Sequence, residues 1–239
     1  MPQINRTKLT ALAAFLALQS TSVLGFSSPG KISSSSRCNS GCLALQTSSN
    51  TVPSDVATET NSKEIGAASD LATQLLATCA EYGQIGSKLT EDQRSTVDDL
   101  ASSLSSYSDP APAQIDLRGT HDLIYSAAPG GSSGALGPLV GKVSQTFLDD
   151  VRFINRVELF GGIVKIELYA ERKVLDETRI RVKFKETVFT VFGNEVKRGD
   201  VKGSGVWNYK FSGMVDVDGE KMLLRVMETP STFVIVQRD

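Results

Sequence analysis

The chain is poor in the residues from which chemical centres are built. Its 239 residues hold three cysteines, Cys38, Cys42 and Cys79, and one histidine, His121. That is at most a single four-ligand Cys/His set, and too few thiols for a disulfide framework. A single histidine also leaves a Ser-His-Asp triad without its base, because the one His precedes every serine motif worth considering. The longest apolar run is the ten residues from Leu9 to Leu18, about half of what a membrane-spanning helix needs. Charge of either sign is not in excess: 25 Lys and Arg stand against 27 Asp and Glu, a net of −2. Such a balance gives no electrostatic reason to expect nucleic acid as a partner. With 40% hydrophobic and 22% charged residues, the chain is neither wholly disordered nor a multispan membrane protein.

Acidic residues are missing altogether from Met1 to Ser54, where Arg6, Lys8, Lys31 and Arg37 are the only charged side chains. From Asp55 onward this leaves 21 basic against 27 acidic residues. A basic start, the Leu9–Leu18 run and Val23-Leu24-Gly25 form a signal-peptide pattern over residues 1–25, with cleavage expected after Gly25. Residues 26–54 are Ser-rich and acid-free, which is transit-peptide composition. Two such addresses in series, the second opening on Phe26, resemble the bipartite plastid presequence of algae with secondary plastids. Cys38 and Cys42 fall in this leader and are not read as a metal site.

Residues 55–63 read as a polar linker, and residues 64–109 as a helical hairpin. Ala68, Leu71, Leu75, Cys79 and Tyr82 recur at helical spacing, ending near Gly83 and Gly86. Thr90-Glu91-Asp92-Gln93 is a capping box for a second helix with an apolar stripe of Val97, Leu100, Ala101 and Leu104. From residue 116 to the C-terminus the period drops from 3.6 to 2, and about nine short strands are expected. Residues 179–185 and 187–192 count as two of them. Short connections favour an antiparallel meander, which removes its edges by closing into a barrel. The expected fold is mainly β: a lipocalin-like antiparallel barrel of about 8–9 strands over residues 116–239, able to enclose one small ligand.

Leu89-Thr90-Glu91-Asp92-Gln93-Arg94 is followed by an acidic-apolar helix and a Pro-rich break. This segment and several later ones resemble the plastid lipid-associated proteins, also called fibrillins or plastoglobulins. The run from Leu117-Arg118-Gly119-Thr120 to Tyr125-Ser126 resembles the family's opening strand, with His121 where that pattern has Trp. Gly137 to Phe147, Ile154-Asn155-Arg156-Val157, Leu224-Arg225 and Ser231 to Arg238 resemble later strands. The resemblance covers residues 89–239. It implies a plastid location at thylakoids or plastoglobules and a non-enzymatic role in binding apolar lipids, carotenoids or prenylquinones. Its partners would be such a ligand and a plastid membrane or lipid-droplet surface. An accessory protein that binds a prenylquinone-pathway enzyme is the alternative. No cofactor or metal is expected.

On this reading the ligand-contacting residues lie inside the barrel. His121, Leu123 and Tyr125 alternate on the opening strand, and Trp207, Tyr209 and Phe211 form the strongest aromatic alternation in the chain. Phe147, Phe153, Ile180, Val182 and Phe184 are further interior candidates. The loop at residues 127–140 places Leu136, Leu139 and Val140 among glycines, as an apolar tip for a lipid surface. The stripe Arg179, Arg181, Lys183, Lys185 could meet anionic headgroups. With a turn at residues 173–177, however, Arg179 would pair with Glu171 and Lys183 with Glu167, an ordinary charge ladder. Gly130-Gly131-Ser132-Ser133-Gly134 satisfies G-x-S-x-G literally, but Ala135-Leu136-Gly137-Pro138 does not continue it as a helix. It reads as a loop.

Overall fold

The computed structural model describes residues 54–238. The signal-peptide and transit-like segments lie outside them, Cys38 and Cys42 included. Helix α1 spans Ser54–Tyr82, so residues 55–63 are helical and form no linker. A 3-10 turn at Gly86–Lys88 leads into α2, Glu91–Leu104. The capping box forms as the sequence predicts: the Thr90 hydroxyl accepts from Gln93 N at 3.3 Å, and the Gln93 side chain accepts from Thr90 N at 3.1 Å.

Eight strands then close a barrel. In order around it they are β1 (Gly119–Ser126), β10 (Ser231–Arg238), β9 (Glu220–Thr229), β8 (Asn194–Val217), β7 (Arg179–Val191), β6 (Val164–Val174), β5 (Arg152–Leu159) and β4 (Lys142–Phe147). Closure runs through the antiparallel pairing of β1 with β4. A ribbon of β2 (Ala135–Leu136) and β3 (Leu139–Val140) stands apart in the loop between β1 and β4. The two strands expected at residues 179–185 and 187–192 are one strand. Between them the register shifts, and pairing resumes past the irregularity at Phe184/Glu186.

The turn before β7 is also later than residues 173–177. Val174 pairs with Ile180, so Lys183 stands opposite Glu171 instead of Glu167. The charge ladder exists in this shifted form: Lys185 meets Glu171 at 2.7 Å, and Arg179 folds back onto Asp176 at 2.6 Å.

Two apolar layers result. One fills the barrel interior. The other lies on the outer face of β8, β9, β10 and β1, where Ala72, Leu75, Cys79, Val97, Ala101 and Leu104 of the hairpin cover Val226, Val234 and their neighbours. The chain after α2 fastens the hairpin to β8: Asp109 N donates to Ser212 O at 3.0 Å, and Ser108 Oγ accepts from Ser212 N at 3.1 Å. It then closes one end of the barrel, with Ala113 and Leu117 packed into the interior layer.

Candidate functional site

Above that closed end the interior is not completely filled. A cavity of about 190 Å³ lies among Leu123, Val143, Leu168, Phe184, Trp207 and Phe233, with Gln145 and Asn155 as polar members of its wall. Drug-sized pockets typically hold about 300–1,000 Å³.

The loop between β1 and β4 roofs the cavity. Its G-x-S-x-G residues form a 3-10 turn, Gly130–Ser133, and no strand-to-helix elbow. Leu136 is buried and lines the cavity, and Leu139 packs on the interior layer. Of the three residues expected at a lipid-contacting tip, only Val140 is exposed. Two hydrogen bonds account for this inward fold: Gln84 Nε2, reaching from the segment between the helices, donates to Ser133 O at 2.7 Å and Gly141 O at 3.1 Å. Gly134 sits at that anchor with φ +82°, and a Cβ there would meet Gly141 O at 2.5 Å and Gln84 Nε2 at 2.6 Å. Gly134→Val is expected to cost about 1–3 kcal/mol and to open residues 127–141 to limited proteolysis. Unchanged cleavage would mean the roof is held elsewhere.

Beneath the cavity the walls become aromatic. Phe233 and Phe153 each meet Trp207 edge-on, at 5.3 and 5.9 Å, Phe153 stacks on Phe147 at 5.1 Å, and Phe147 meets His121 at 5.4 Å. His121 is fully buried, with Nε2 2.8 Å from Leu117 O. Burial, reinforced by the nearby Arg225 cation, pushes its pKa down to about 4, against a smaller upward pull from the Leu117 carbonyl. The ring is therefore neutral near pH 7.

Of the residues expected in the interior, Leu123, Phe184 and Trp207 line the cavity, while His121, Phe147, Phe153, Ile180, Val182 and Tyr209 pack below or beside it. Tyr125 and Phe211 do not belong to the interior. Both lie on the outer face beneath the helices. The register slips between Leu123 and Tyr125 on β1 and between Tyr209 and Phe211 on β8. One extra residue at each bulge turns everything beyond it to the opposite face, so strict alternation assigns the wrong side.

Among the interior residues that escaped the sequence reading are Gln145, Arg172 and Arg225. All are buried, and Arg225 is completely so. A signal for Arg225 was available. It stands in Met222-Leu223-Leu224-Arg225-Val226-Met227, where apolar residues occupy both faces, so the strand is covered on both sides and its charge has no way out.

The PAP_fibrillin family model matches residues 69–229. The chain belongs to the plastid lipid-associated protein (fibrillin) family. The match begins on α1 and ends with β9, so it takes in the helical hairpin that the resemblance from residue 89 onward left half outside. No match is found among curated proteins or among solved structures. As a fibrillin, this is a plastid lipid-associated protein. Trp207, Gln145 and Arg225 all lie within the matched span.

Proposed function

We propose that this fibrillin holds one end of an apolar plastid lipid, such as a prenylquinone, carotenoid or acyl lipid, in the barrel, and docks its mouth on a thylakoid or plastoglobule surface. The observation carrying the reading is an apolar cavity at the same barrel end as a set of exposed apolar turns. Phe160 and Ile163 lie in the β5–β6 turn and Phe192 in the β7–β8 turn, where Phe192 N donates to Ile163 O at 2.8 Å. Both phenylalanines are 54% exposed. Both also have left-handed backbones, φ 52° and 50°. Phe192-Gly193 occupies turn positions where Asn-Gly or Asp-Gly is favoured. A bulky residue there stores about 1–3 kcal/mol of strain, and an exposed ring recovers none of it by packing. Insertion into lipid would recover about 1.5–3 kcal/mol per ring.

The test has two readouts. A plastoquinone analogue should quench Trp207 emission saturably, and Trp207 is the only Trp, so the signal has one origin. Vesicles of plastid galactolipids should float with the protein, and Phe160→Ser with Phe192→Ser should weaken flotation at least tenfold, consistent with one lost ring insertion. The absence of both quenching and flotation for the unmutated chain would overturn the reading.

A further inference from the structure

Beneath the cavity lie two cations with no carboxylate partner among the described residues. Arg225 is fully buried on β9. Of its five N–H donors, Nη2 reaches Gln145 Oε1 at 3.1 Å, Nη1 reaches the Met227 sulfur at 3.9 Å, and Nε has no partner. Its Cζ lies 5.2 Å from the centre of the Phe147 ring, and Arg172 lies 5.5 Å from the same ring. Arg172 Nε is held by Asp150 O at 2.8 Å, while its Nη1 is unpartnered. Among the described residues, no carboxylate comes within ion-pair distance of either guanidinium, although Arg172 acts on Asp116 at longer range. Burial lowers the pKa of Arg225 from its ordinary value, the Arg172 cation adds to this, and the neighbouring Tyr209 phenol opposes it by charge and hydrogen bonding.

A buried charge is costly unless paired, and an apolar residue of similar volume commonly serves packing as well or better. Met would fill this position. The guanidinium instead bonds to a polar residue of the cavity wall: Gln145 lines the cavity and accepts from Arg225. Gln145 Oε1 thus stands where an incoming oxyanion would stand. We propose that the cavity selects a long-chain carboxylate, whose headgroup enters first and pairs with Arg225 beside Gln145 while its acyl chain runs past Leu123, Phe184 and Phe233 to the mouth. A planar carboxylate matches the guanidinium fork in two parallel hydrogen bonds. The proposal rests on the barrel being a lipid site and names the class of lipid.

The test titrates the full chain with palmitate, methyl palmitate and hexadecanol, reading Trp207 emission. Palmitate should bind at least tenfold more tightly than either neutral analogue. Arg225→Met should abolish the preference by bringing palmitate down to the affinity of hexadecanol, and Arg225→Lys should keep part of it. Gln145→Glu supplies the missing counter-ion internally, so it should raise the melting temperature and lower palmitate affinity at least tenfold. This second variant decides the matter if Arg225→Met does not fold. Equal affinity for all three lipids, unchanged by Gln145→Glu, overturns the carboxylate site and leaves lipid binding intact. Failure of every lipid and of the plastoquinone analogue overturns the underlying reading as well.

Discussion

Phe211→Ala is expected to lower the unfolding free energy by about 3–5 kcal/mol while leaving the quenching of Trp207 by lipid unchanged. Phe211 is 1% exposed and belongs to the layer between the barrel's outer face and the helices, with Leu75, Leu104, Val215 and Val226. Removing its ring empties a volume that the helices cannot readily fill, because hydrogen bonds hold them to β8 at Ser69, Ser108 and Asp109. Cavity creation at such a site is among the largest single-residue effects on stability. Urea denaturation gives the loss, and a titration of the folded variant gives the affinity. If Phe211 lined the ligand cavity as period-two alternation suggests, affinity would fall along with stability. That outcome would mean the bulge at residue 210 is absent in solution.

The second large effect concerns acid. His121 is buried and neutral, with a pKa of about 4 against an ordinary value of 6.5. In the window between these values the unfolded chain binds a proton at His121 that the folded chain refuses, so acid favours unfolding. The contribution is fully present above about pH 6.5, falls as pH drops towards 4, and is flat below that. A shift of this size is worth on the order of 3 kcal/mol. Carboxylates with strongly lowered values, Asp116 and Asp149 at about 2, titrate mostly below this window. Comparing unfolding of the unmutated chain with His121→Gln from pH 7 to pH 4 isolates the effect: the variant's stability should slope about 3 kcal/mol less over that range. Parallel slopes would show that His121 gains a proton without opening the fold.

Much of the architecture was legible because local chemistry and tertiary structure agreed. The capping box at Thr90 and Gln93 satisfies its own backbone donors whatever surrounds it, so α2 could be placed from sequence. The period-two pattern of Val164 to Glu171 survives in β6, which keeps register with β5 along that stretch, while the irregularity opposite Tyr169 and Ala170 falls on β7. Family membership was legible through the order of several weak segments. Of the interior candidates named from sequence, Leu123, Phe184 and Trp207 line the cavity.

What sequence could not decide depended on events elsewhere in the chain. Which face Tyr125 and Phe211 occupy is set by bulges, and a bulge arises from how two strands fit around a closed barrel. Leu136 and Leu139 turned inward because Gln84, some fifty residues earlier, supplies the donor that holds their loop down. The long-range pairing that put Arg225 against Gln145, 80 positions apart, exists only after the barrel has closed. The amino-acid sequence by itself determined the two helices, most of the strands and the family. Only the tertiary structure decided which aromatic rings face the ligand space and that an unpaired guanidinium lies beneath it, because both follow from register and closure, which no local pattern encodes.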